Sequence, residues 1–117
     1  MFNGYPMIPD PLTLDAARRF LDTVASRYPF RQAWLFGSRA RGNARPDSDL
    51  DIALLLDGPR EAFIAAKLAL DDLAYDILLE TGIHIQPLPL WQDDWDVPGT
   101  FPNPGLIAAI RREGVPL

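Results

Sequence analysis

Two apolar runs separated by a short polar linker constrain this chain more than any other feature. Ala33-Trp34-Leu35-Phe36 ends in Gly37-Ser38, which reads as a buried strand entering a tight turn. After the linker, Asp47-Ser48 turns into a second strand, Leu50 to Leu56, with Asp49 and Asp51 at its start. Side chains alternate along a strand, so Asp49 and Asp51 share one face while Leu50 and Ile52 point into the core. The arrangement demands a sheet with a phosphate-sized turn at one strand end and two acids beside it.

Each part has a chemical reason. Gly37 lets the backbone approach a ligand without a Cβ in the way. Ser38 is expected to cap a helix starting near Arg39, so that its hydroxyl and the free N–H groups of the first turn face an anion. Arg39 and Arg41 add positive charge there, or are solvated. Two carboxylates close together on a half-buried strand repel unless a cation neutralises them or one takes a proton. Mg²⁺ suits the pair, since it takes oxygen ligands from one or two carboxylates and fills its shell with water and substrate phosphates. The joint pattern points to a nucleoside triphosphate site.

Gly-Ser, a linker and Asp-x-Asp, in the form Gly37-Ser38-Arg39-Ala40-Arg41-Gly42 followed by Ser48-Asp49-Leu50-Asp51-Ile52-Ala53, resembles the DNA polymerase β-like nucleotidyltransferase superfamily, and within it the minimal nucleotidyltransferase (MNT) domains. The resemblance implies an α/β (α+β) fold, a small mixed sheet flanked by helices. It also implies that Gly37 and Ser38 hold the triphosphate of ATP or another NTP, and that Asp49 and Asp51 hold the metals. Active members usually carry a third carboxylate on a later strand. The matching segment here, Gly82-Ile83-His84-Ile85-Gln86-Pro87, places His84 and Gln86 on the polar face, and no acid lies between Glu80 and Asp93. His84 is either a base near neutral pH or a plain polar strand residue. The resemblance further suggests a partner, a HEPN-type toxin that some minimal domains neutralise by attaching AMP to a tyrosine. Two functions therefore stand: a Mg²⁺-dependent nucleotidyltransferase acting as an antitoxin, or the same fold blocking its partner by binding alone.

The rest of the chain frames this site. A length of 117 residues fits one domain, 1–117. The absence of cysteine removes disulfides, thiolate metal sites and a cysteine nucleophile. No stretch is apolar enough to span a bilayer, and a cytoplasmic protein is expected. A net charge of −5 disfavours non-specific nucleic-acid binding. Arg31, Arg39, Arg41 and Arg45 are instead read as bracketing the motif.

Residues 1–11 read as a loose proline-rich lead. Thr13 reads as the N-cap of a helix through Leu14, Ala17, Phe20, Leu21 and Val24, stopped by Tyr28-Pro29. Pro59 fits the first turn of a helix running to about Glu80, and Pro87 and Pro89 limit the strand after it. Residues 91–104 read as a Pro/Trp/Asp-rich loop or partner-binding arm, followed by a short helix from about Gly105 to Arg112.

The long helix carries two apolar stripes. Phe63, Ala66, Leu70, Leu73 and Ile77 should face the sheet, while Ile64, Leu68, Tyr75 and Leu79 form a second stripe rotated away from it. Either a terminal helix covers the second stripe, or a partner or second copy does. Trp91 and Trp95 are interface anchors or packed lids.

Overall fold

The computed structural model describes residues 9–42, 45, 47–97, 99 and 101–117. The expected lead over 1–8 lies outside them. Helix α1, Pro11–Ala25, starts earlier than Thr13 suggests. Asp10 is its cap, accepting from the Thr13 amide at 2.8 Å and the Thr13 hydroxyl at 3.0 Å, and Pro11 supplies the fixed φ favoured at a first helical position. Thr13 is buried inside the first turn.

Strand β1, Phe30–Phe36, begins before the apolar run does, and β2 is Leu50–Leu56 as read. They pair antiparallel, with Phe36 opposite Asp51. Helix α2, Phe63–Thr81, then crosses over to β3, Ile85–Leu90, which lies parallel to β2. Pro59 stands ahead of α2 rather than in its first turn. Residues 59–62 precede the helix because Arg60 is drawn to Asp93 at 2.6 Å and Asp94 at 2.8 Å, over the Trp91 ring. Gly82 closes α2 at φ 77°.

Strand β3 runs through both prolines because it is an edge strand, in the order β3-β2-β1-β4. The His84 carbonyl accepts from the Leu50 amide, so the backbone of residue 84, and by alternation 86, 88 and 90, faces β2. Pro87 and Pro89 thus place their missing N–H on the free edge.

The segment read as a loop from 91 to 104 contains a short helix, α3, Gln92–Asp96. Buried Asp94 accepts from the Trp91 amide at 3.0 Å and fixes its first turn. Both tryptophans are packed: Trp91 is buried, and Trp95 stacks on Trp34 at 4.3 Å between centroids, with Arg111 also against its ring. Helix α4, Pro104–Glu113, is capped by Asn103, and the chain ends in β4, Val115–Pro116, paired with β1. So short a strand carries no periodicity, and the sequence gives no sign of β4.

Alternation along the strands divides the core. Leu35, Leu50, Ile52, Leu54 and Ile85 pack under α1 and α2, while Trp34, Ala53, Leu55 and Leu90 pack against Trp95, Ile107 and Ile110. The fold is a four-stranded mixed sheet flanked by helices. No helix among the described residues is long and apolar enough to cross a membrane.

Candidate active site

The sheet brings the predicted acids to one ledge. Asp51 lies on the face of β2 that also carries Ala53 and Leu55, beside Phe36 of β1 and Gln86 of β3. Asp49 is half exposed one step before the strand, and its Oδ1 lies 3.2 Å from Nδ1 of His84. Gln86 Nε2 is 3.4 Å from the same ring nitrogen. The two residues predicted for the third-carboxylate position therefore adjoin the Asp49–Asp51 pair.

Gly37 completes this ledge. It has φ +78°, and a Cβ built on it falls 2.3 Å from Oδ2 of Asp51. A side chain there would force the Asp51 carboxylate to turn away, so glycine at 37 lets the acid keep its place against the end of β1. The chain then makes three successive tight turns, Ala40 to Gly37, Arg41 to Ser38 and Gly42 to Arg39, with N···O distances of 3.2, 3.2 and 3.3 Å. No helix starts at Arg39. Gly37 and Gly42, both at positive φ, bound a run too short for one before the chain doubles back to β2. Ser38 is thus a turn residue rather than a helix cap, and its hydroxyl has no partner among the described residues.

The arginines divide. Arg39 is buried: its Nε donates to the Ser48 carbonyl at 2.8 Å and one Nη to the Thr13 hydroxyl at 3.0 Å. It ties the glycine turn, the entry to β2 and the start of α1 together, and its side chain is committed to that work. Neither Thr13 nor Asp10 is expected near the site from the sequence, because a partner 26 residues away leaves no local signal. Arg39→Ala is expected to destabilise the fold by about 2–3 kcal/mol, read by chemical denaturation, because it strands two acceptors and empties buried space. Arg41 is exposed, 3.9 Å from Glu113. Arg31 does not bracket the motif. It stands at the opposite end of β1, bound to Asp57 at 2.7 Å and Gln92 at 3.0 Å.

Burial, and then the charge of Asp49, hold the Asp51 carboxyl above the usual Asp range. A raised folded-state pKa means the folded protein keeps the Asp51 proton longer than the unfolded chain does. Asp51 thus favours folding in acid, and this contribution is lost as pH rises through its folded pKa. Asp51→Asn should therefore melt above the metal-free wild type at pH 7, with the difference shrinking as pH falls toward 4. Melting curves across that range check this.

These residues fit a divalent cation. Two hard oxygen donors share a face, and the electrostatic penalty on Asp51 is one that a bound cation relieves. Among the described residues no group of three or more Asp, Glu, His or Cys side chains is arranged to hold a metal unaided, so substrate phosphates and water would complete the shell. A cavity of about 560 Å³ lies nearby, between α1 and the end of α2. It includes neither Asp49 nor Asp51, and its Arg19 is already paired with Asp15 and Glu80.

The glycine turn and the two-acid strand thus stand together at one end of a mixed sheet. Comparison with protein families matches residues 17–97 to the nucleotidyltransferase domain, and the chain belongs to that family. Such domains transfer a nucleoside monophosphate and generally use a divalent metal with an NTP. A search of curated proteins gives no match.

Proposed function

We propose that this chain is a Mg²⁺-dependent nucleotidyltransferase that moves AMP from ATP to an acceptor hydroxyl in the cytoplasm, acting as an antitoxin on a HEPN-type partner. The observation that carries the transferase reading is the contact geometry of Gly37 and Asp51, which leaves a ledge with no side chain between the turn and the acid. Asp49 and Asp51 hold the metal, which supplies charge neutralisation on the triphosphate and its pyrophosphate leaving group. Gly37 and Ser38 hold the phosphates, Arg41 lends charge at the rim, and Arg39 fixes the turn. The acceptor oxygen bonds to the α-phosphorus as the bond to pyrophosphate breaks, and the hydroxyl proton leaves to water.

The antitoxin role rests on the resemblance of the motif. Incubation with α-labelled ATP and a HEPN-type protein tests it. Label on a partner tyrosine, absent with Asp49→Asn, is the expected result; an unlabelled partner whose toxicity is nonetheless suppressed overturns the transfer step.

A second reading has its own observation. His84 adjoins Asp49, and Gln86, not an acid, stands opposite Asp51. A domain so built binds nucleotide and partner without turnover. The same experiment separates the two.

A further inference from the structure

The second stripe of α2 is uncovered. Ile64, Leu68, Tyr75 and Leu79 are 66, 59, 56 and 68 % exposed, although α1 packs nearby on the same side of the sheet. At 100° per residue they form one seam, about 22 Å long from Ile64 to Leu79. No nucleotide chemistry uses this seam, because the Asp49–Asp51 ledge lies on the other face of the sheet.

Charge on the borders of the seam selects what covers it. Asp71 follows one edge, and Asp72 and Asp76 follow the other. Lys67 is bound to Asp71 at 2.5 Å, whereas Asp72 and Asp76 are in no ion pair among the described residues. A second copy would bring one acidic border against another, in a chain of net charge −5. A membrane surface would need basic residues at these edges, and they are acidic.

We propose that this face of α2 docks an amphipathic helix of a partner protein, its apolar side in the seam and lysine or arginine along its flanks. A partner helix of about four turns matches the seam in length. The proposal deepens the partner reading above, but it does not depend on nucleotide binding.

The probe is a fluorescein-labelled 18-residue amphipathic peptide with leucine on one face and lysine on its flanks, followed by fluorescence anisotropy against the full chain. Saturable binding is expected, weakening as salt rises. A peptide with glutamate flanks should bind at least about tenfold more weakly. Leu68→Asp, an exposed position whose fold circular dichroism can verify, should lose binding although it makes the protein more acidic. Asp72→Lys with Asp76→Lys, which leaves the seam intact, should reverse the preference between the peptides.

No binding of the lysine-flanked peptide, or equal binding of both peptides, overturns the proposal. Unchanged or tighter binding by Leu68→Asp also overturns it, since that is attraction to net charge alone. A wild-type dimer by sedimentation that Leu68→Asp dissolves assigns the seam to a second copy, and attachment to phosphatidylglycerol vesicles assigns it to lipid. Nucleotide titration of Leu68→Asp should match wild type, so failure at this seam stays distinct from failure at the Asp49–Asp51 site.

Discussion

Gly37→Ala is expected to lower affinity for Mg²⁺-ATP by at least about tenfold and to destabilise the fold by about 1–2 kcal/mol. Two independent effects act at this position. The backbone holds φ +78°, where an L side chain meets its own carbonyl. The new methyl would also lie 2.3 Å from Oδ2 of Asp51, so the carboxylate must move off the ledge. Gly58, at φ +83° with nothing within 4 Å of where a Cβ would stand, separates the two. Gly58→Ala should share the backbone cost without the loss of affinity. Parallel denaturation and nucleotide titration of both variants make the comparison, and equal nucleotide affinity in all three proteins would remove Gly37 from the site.

Asp51→Asn carries the other large effect. Loss of groups that merely support metal ligands typically costs about 10–100-fold in metal affinity, so loss of a ligand itself should cost about 100-fold or more. The substitution leaves shape and hydrogen bonding nearly unchanged, and it removes the charge that burial and Asp49 oppose. The metal-free variant should therefore be at least as stable as wild type. Lower affinity without lower stability marks a residue kept for binding rather than for folding. A variant that unfolds would instead make Asp51 structural.

Much of this architecture is legible in the sequence because it rests on local patterns. β2 reads directly from a run that is apolar apart from Asp51 and is bounded by Asp49 and Asp57-Gly58, and the alternation that puts Asp49 and Asp51 on one face follows from strand geometry alone. The helical period of α2 likewise gives both stripes: Ala66, Leu70, Leu73 and Ile77 of the first are buried, Phe63 at its start is exposed because the helix only begins there, and the second stripe is exposed.

The features that do not show in the sequence are non-local. Thr13 has the chemistry of a cap, but Asp10 takes that position, and the Thr13 hydroxyl serves Arg39. Arg39 reads as a phosphate ligand from its place beside Gly37, yet its partners lie on α1 and before β2. Gly-Ser followed by arginines suggests a helix start, whereas the antiparallel return to β2 leaves room only for turns. Pro87 and Pro89 argue against a strand unless its edge position is known, and edge position is a property of the sheet. β4 is too short to show any period.

Metal-dependent nucleotide binding at Asp49 and Asp51 is tested most directly by calorimetric titration of ATP into the full chain, with Mg²⁺ and with EDTA, alongside Asp49→Asn and Asp51→Asn. Saturable binding that requires Mg²⁺ and disappears in both variants is the predicted result. Equal binding by wild type and variants, or none to any nucleoside triphosphate, would contradict it.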